Sequence, residues 1–322
     1  MLTTIAEFRA ALAEEAAASA GPGAAGHPTI GLVPTMGALH SGHGELLQAA
    51  RESADVVVAS VFVNPLQFDD DADFLHYPRQ LDADVALLAE HGADLVFAPE
   101  LDEMYPGHPE GPLVRVSAGE LGRRWEGASR PGHFDGMVTV VNKLFTICSG
   151  GLAGSACVPR LEAWFGVKDA EQLAIITRMV ADFDHRVRIR SLPIVRDENG
   201  LALSSRNQRL SDSDYAAALA LPRAIFTLRD RAAAGEPLGV DELRDELART
   251  PGVEPDYLVV VDPLTLRELP PGGESETRAP GVSGLEAPAL DPGGVLRGEA
   301  LALVAAWVGP VRLIDNMRLA SV

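Results

Sequence analysis

Apolar runs at residues 30–33, 55–63 and 95–97 alternate along the chain with segments whose apolar side chains recur at helical spacing, such as Leu81, Val85 and Leu88. A strand apolar along its whole length is one covered on both faces, and strands separated by helices are joined by right-handed crossovers. The alternation therefore predicts a parallel sheet with helices on either side. The pattern continues through a helix with Met137, Val141, Leu144, Phe145 and Cys148 on one face, a short strand at 163–165, and a helix striped by Leu173, Ile176, Val180 and Phe183. Ahead of the first strand, Thr4 and Glu7 read as a capping box opening an amphipathic helix with Ile5, Phe8 and Leu12 inward. The expected fold class is α/β, a doubly wound Rossmann-like parallel sheet, over residues 1–192.

The character changes from residue 193. Segments 193–196 and 201–203 flank Asn199-Gly200, a tight-turn pair that signals a β-hairpin through its positive φ angles. Helices at 211–234 and 240–249 then precede strands at 257–261, 300–308 and 311–314. This predicts a second, smaller α+β domain over residues 193–322. Between 268 and 298 Gly and Pro are frequent and no period is visible, which predicts a mobile loop. A Gly/Ala-rich stretch at 149–156 interrupts the first domain.

Charge narrows the partners. Lys and Arg number 27 against 46 Asp and Glu, a net charge of −19, which is wrong for a surface that coats nucleic acid. A few cations focused in one cleft can still hold a small phosphorylated ligand. Cys148 and Cys157 are too few for a disulfide framework or a zinc site and point to a reducing compartment. No segment reaches the roughly 18 apolar residues of a spanning helix, and Glu7, Glu14 and Glu15 are unlike a secretory leader. The expectation is a cytoplasmic protein with neither nucleic acid nor membrane as partner.

The densest constellation is Pro34-Thr35-Met36-Gly37-Ala38-Leu39-His40-Ser41-Gly42-His43, where the first strand gives way to a helix. In open α/β sheets ligands bind beyond the carboxyl ends of strands, and a helix start offers unpaired N–H groups to an anion. His40 and His43 on one helical turn can donate to phosphate oxygens, while Gly37 and Gly42 let the backbone approach closely. Lys168 and Asp169 follow Trp164-Phe165-Gly166 at the end of another expected strand, so an ammonium points toward the same crevice. Ser204-Ser205-Arg206-Asn207, after the hairpin, supplies hydroxyls and a guanidinium suited to polyphosphate. Together these segments suggest the two halves of an ATP clamp.

PTMGALHSGH, FVNPLQF, YPR, RPGHFDG, FGVKDAEQL and GLALSSRN, in this order, with LIDN near the end, resemble the pantoate–β-alanine ligase family of the HIGH-motif nucleotidylyltransferase superfamily. The resemblance implies condensation of pantoate with β-alanine through a pantoyl adenylate, releasing pyrophosphate and AMP, with ATP as substrate, Mg²⁺, and a homodimer. It implies an ATP- and pantoate-binding first domain and a second domain acting as a lid. Pro34, Thr35, Met36, Gly37 and His43 would line the nucleotide site with Gly166, Lys168 and Asp169; His40, His43, Lys168, Ser204, Ser205 and Arg206 would carry the chemistry on the phosphates. Asn64, Gln67 and Gln172 would hold pantoate, with Arg130 and His133 nearby, and Asp84 matches a position associated with the metal. Val167 stands where the family usually has Glu, Leu203 replaces a Met, and the stretches at 149–156 and 268–298 are added. A relative using another acid or amine, or a nucleotide-binding homologue without turnover, stays open at this point.

Overall fold

The computed structural model describes residues 1–20, 27–68, 71–109, 111–151, 159–272 and 287–321. The chain divides into two compact units, Met1–Pro193 and Ile194–Val322. The first unit runs α1 (Ile5–Ala20), β1 (Thr29–Thr35), α2 (Ser41–Ser53), β2 (Val56–Val61), α3 (Asp71–His76), α4 (Leu81–Glu90), β3 (Leu95–Phe97), α5 (Leu101–Met104), α6 (Trp125–Ser129), α7 (His133–Gly151), β4 (Arg160–Gly166), α8 (Ala170–Asp182) and β5 (Val187–Leu192). Its five strands are parallel in the order β3-β2-β1-β4-β5. The chain reverses its lateral progress between β1 and β4, which makes this pair the switch point where a doubly wound sheet opens a ligand crevice.

The strand sequences explain the layers. Val33, Val57, Ala59 and Val96 project to one face and pack with Leu46, Leu47 and Ala50 of α2 and Leu88 of α4. The opposite face is covered by α1, whose Phe8 ring lies 4.7 Å from that of Phe97. Phe8, Leu12 and Ala16 form the buried stripe of α1, and Thr4 closes its start by accepting from the Glu7 amide at 3.2 Å. Gly31 lets α2 come close: a Cβ there would stand 3.0 Å from the Ala54 methyl. Truncating fully buried Leu47 to alanine should cost about 2 to 5 kcal/mol, the usual range for a core leucine.

The second unit contains α9 (Asp212–Ala218), α10 (Ala220–Ala234), α11 (Val240–Arg249), β6 (Val253–Val261), β7 (Ala289–Leu290), β8 (Leu296–Arg297), β9 (Glu299–Val308) and β10 (Val311–Ala320). An antiparallel sheet in the order β10-β9-β6 packs against α10 and α11. Leu221, Ile225 and Leu228 meet Leu258, Val260, Ala302 and Val304 in its core.

Several expectations change. The helix at 211–234 is two helices that meet at Leu219. Phe183 ends α8 at 58% exposure, and the buried side of that helix is Ile175, Ile176 and Met179. The hairpin exists as a single bridge between Arg196 and Ala202. Its turn has positive φ at Gly200 alone and is fixed by the Asp197 carboxylate, which accepts from the Asn199 and Leu201 amides at 2.9 Å each. The 268–298 segment is not free of structure: residues 268 and 271 form bridges, β7 and β8 pair near its end, and residues 273–286 lie outside the described residues. The 149–156 stretch begins inside α7, and residues 152–158, with Cys157, fall outside the description. Among the described residues no helix is long and apolar enough to cross a membrane.

Candidate active site

Strand β1 hands over to α2 through a turn built on two left-handed residues, Gly37 at φ +84° and Ala38 at φ +53°. Thr35 anchors the strand end by donating its hydroxyl to the Ser60 carbonyl at 2.7 Å. His40 is the N-cap of α2 and uses Nδ1 where a serine would use oxygen, accepting from the Gly42 amide at 3.2 Å. His43 returns the bond: its Nδ1 accepts from the His40 amide at 3.4 Å. Both δ nitrogens therefore act as acceptors, which assigns the neutral rings the tautomer with hydrogen on Nε2. Each imidazole then presents an Nε2–H donor beside the helix start, and the rings lie 4.3 Å apart.

Lys168 reaches this place because β4 pairs with β1 in parallel, so their carboxyl ends finish at the same edge. The segment after β4 is pinned to β5 by the Val167 amide donating to the Leu192 carbonyl at 3.0 Å, and Asp169 occupies the N-cap position of α8 without a side-chain bond to the helix start. Burial lowers the His40 pKa and the Lys168 charge lowers it further, with Asp169 opposing. His43 is pushed down to about 4 by burial, then by His40 and Lys168. At neutral pH both rings are uncharged donors beside an ammonium, an arrangement that attracts an anion without needing imidazolium.

Next to this edge lies a dry amide cluster. Asn64 is 1% exposed and caps the short turn Pro65–Gln67. Its Nδ2 donates to Gln67 Oε1 and to the Gly136 carbonyl, both at 3.0 Å. Its Oδ1 accepts from the Leu66 amide at 3.3 Å and from the Tyr105 hydroxyl at 3.0 Å. These four bonds use the whole capacity of the side chain, and one of them orients Gln67, beside which Asn64 was expected to hold pantoate. Gln67 Nε2 points to the Met36 sulfur at 3.0 Å, linking the cluster to the β1 turn. His133 Nδ1 donates to the Gln67 carbonyl at 2.8 Å and Arg130 donates to the same oxygen at 3.4 Å, so this expected pair braces the Gln67 backbone. Gln172 is half-buried on the first turn of α8.

Sequence reasoning missed Tyr105 and Gly136. Burial raises the Tyr105 pKa and keeps its hydroxyl a donor. A Cβ on Gly136 would lie 2.0 Å from the Leu66 carbonyl oxygen, so only glycine lets α7 touch the turn carrying Gln67. The Gly in RPGHFDG was the available signal.

Asp84 was expected at a metal. It is 2% exposed, and its two oxygens accept from the Ala38 amide at 3.0 Å and the Leu39 amide at 2.8 Å. Among the described residues no group of three or more His, Cys, Asp or Glu is arranged to hold a cation. The donor set around Asp84 does not fit a metal.

Within the second unit, Ser204 caps the turn Ser205–Arg209 by accepting from the Arg206 amide at 3.3 Å, and the Arg206 side chain is exposed. The hairpin leading there is tied to β10 by Arg196, which forks onto the Asp315 carboxylate at 2.6 and 2.8 Å.

A family model described as Pantoate-beta-alanine ligase matches residues 1–318. A pantothenate synthetase of Paenarthrobacter aurescens is 51% identical over 321 residues, 99% of this chain and all of that one. One from Corynebacterium glutamicum is 51% identical over 296 residues, 91% of this chain and 94% of the other. Among solved structures, the pantothenate synthetase of Thermus thermophilus superposes with a TM-score of 0.75 at 40% identity, covering 98% of both chains. A Francisella tularensis pantoate-beta-alanine ligase complexed with beta-gamma ATP and beta-alanine gives 0.67 at 30% identity, over 98% of this chain and 96% of that one.

Proposed function

The chain belongs to the pantoate–β-alanine ligase family, and with that as premise we propose that it joins the two substrates by forming a pantoyl adenylate at the edge shared by β1 and β4. The reaction is a ligation: ATP activates pantoate, and β-alanine completes the amide. In the first step the pantoate carboxylate attacks the α-phosphorus of ATP in line and pyrophosphate leaves. In the second the amine of β-alanine attacks the acyl carbon and AMP leaves. No protein nucleophile is required, so catalysis is positioning plus stabilisation of charge as it develops on phosphate oxygens.

His40 and His43 serve as neutral Nε2–H donors and Lys168 as the fixed positive charge. Pro34, Thr35, Met36, Gly37, Gly166 and Asp169 shape the nucleotide site around them. In the second unit, Ser204 and Arg206 offer a hydroxyl and a guanidinium, donors of the kind that polyphosphate oxygens accept from. Gln67 and Gln172 are assigned to pantoate, since an amide offers the donor and acceptor that a hydroxy acid needs. ATP enters as its Mg²⁺ complex, with the ion belonging to the substrate. The reading includes a homodimer, to be checked by sedimentation; the Leu113 and Val114 side chains, 93% and 86% exposed, are candidates for burial in it. The segment 114–117 is irregular, and its Val116 amide bonds the Thr139 hydroxyl at 3.0 Å.

One observation carries the proposal. The parallel pairing of β1 with β4 brings the two imidazoles that open α2 and the Lys168 segment ahead of α8 to one edge of the sheet. Mass detection of pantothenate from ATP, pantoate and β-alanine, with each omitted in turn, tests it. Product should require all three, and pyrophosphate should form without β-alanine but not without pantoate. Turnover with a different acid, and none with pantoate, would reject it.

A further inference from the structure

The turn that presents His40 depends on a carboxylate from another helix. Asp84 lies in the first turn of α4, buried, and grips the adjacent amides of Ala38 and Leu39 with one oxygen each. Ala38 is a non-glycine residue in the left-handed region, a conformation that persists where the surroundings hold it. Gly37, also left-handed, is packed so closely that a Cβ on it would stand 2.9 Å from Asp84 Oδ2. Leu39, whose amide takes the shorter bond, directly precedes the His40 cap. The path from Asp84 to the imidazoles thus runs through three consecutive residues, Ala38, Leu39 and His40. A cation would have to share both oxygens with two N–H groups aimed at them.

We propose that Asp84 is a positioning residue that holds the Gly37–Leu39 turn, and through it the Nε2–H donors of His40 and His43, rather than a ligand of the metal. The proposal rests on the reading of this turn as the triphosphate site. It distinguishes Asp84 from exposed Asp82 in the same helical turn, which touches none of these groups.

The test compares Asp84→Asn, Asp82→Asn and Asp84→Asn with Ala38→Gly added, in pantoate-dependent pyrophosphate release across a Mg²⁺ titration. In Asp84→Asn the amide nitrogen faces one of the two N–H groups and lets the turn go. The kcat should fall by roughly 10²-fold, the scale of an ångström-sized misplacement, with the half-saturating Mg²⁺ concentration unchanged. Ala38→Gly should restore part of that loss, because glycine takes positive φ without being held. Asp82→Asn should behave as wild type. A raised Mg²⁺ requirement in Asp84→Asn, or no recovery on adding Ala38→Gly, overturns the proposal. Hydrogen exchange on the wild-type chain, free of metal and nucleotide, decides the matter even if the variant does not fold or the chain makes no adenylate. The Ala38 and Leu39 amides should be strongly protected; exchange at the rate of an open loop would overturn the clamp while leaving the adenylation reading standing.

Discussion

The edge that carries His40, His43 and Lys168 and the cluster around Gln67 are neighbours built on opposite principles. The first is made of backbone: strand ends, a helix start and a left-handed turn bring polar groups out where a charged ligand can meet them. The second is made of side chains that satisfy one another in the dry interior, with Tyr105, Asn64, Gln67, Gly136 and His133 in one hydrogen-bonded group. A triphosphate needs charge and donors, which tolerate some water. A small hydroxy acid needs orientation, which an amide supplies only if its own flip is prevented. Damage to the first should therefore appear in the rate of the chemical step, and damage to the second in substrate affinity and stability.

The largest effect expected is on the phosphate side. Lys168→Ala and His43→Ala should each slow pyrophosphate release by about 10²- to 10³-fold, or about 3 to 4 kcal/mol in the barrier. Stability to thermal unfolding should be unchanged in Lys168→Ala and lowered by about 1 kcal/mol in His43→Ala, which gives up its capping bond to the His40 amide. Near-wild-type kcat in either would break the division. Gly136→Ala comes next, and it should reverse the signature. Pushing a methyl against the Leu66 carbonyl should cost about 1 to 3 kcal/mol of stability, as overpacking does, and raise KM for pantoate more than KM for ATP. Calorimetry with paired KM measurements checks both halves. Tyr105→Phe is a smaller lesion, since Asn64 Oδ1 keeps the Leu66 amide. About 1 kcal/mol of stability and a few-fold rise in pantoate KM are expected.

The remaining effect is in pH dependence. His43 has its folded pKa near 4, below the 6.5 of an unfolded histidine. As pH falls through 6.5 the unfolded chain takes up a proton that the folded one refuses, so stability declines between about pH 6.5 and 4 and is untouched by this group above that window. Chaotrope unfolding at pH 7.5 and 5 should show His43→Gln losing less stability over that interval than the wild type. Equal losses would place the imidazole in water.

The two regions also differ in how far the sequence reveals them. The turn between β1 and α2 was legible because an apolar run, glycines and a helical period follow one another within a few residues. The parallel sheet was legible from the same local alternation, apart from β5. That edge strand, Val187–Leu192, interleaves arginines with its apolar residues and is only partly buried, so it carries no continuous apolar run. Residues 114–117 show the converse: their valines would suit a strand, but the Val116 amide bonds the Thr139 hydroxyl instead of a neighbouring strand. Asn64 and Asp84 were picked out as functional, and the partners each one bonds in the structure lie far away in the chain. The Asp84 carboxylate bonds amides some 45 positions earlier, and Asn64 bonds a carbonyl 72 positions later. Nothing in a local pattern encodes such pairings; the packing of α4 and α7 creates them.

The central claim is that the neutral imidazoles at the start of α2 receive the triphosphate of ATP. Proton NMR of the His40 and His43 ring resonances, followed through a pH titration with and without an ATP analogue, tests it directly. The account predicts a His43 midpoint near 4 in the free protein, and a clear rise once phosphate anions accept from Nε2. Ring resonances and midpoints that stay unmoved at nucleotide concentrations saturating the enzyme would contradict it.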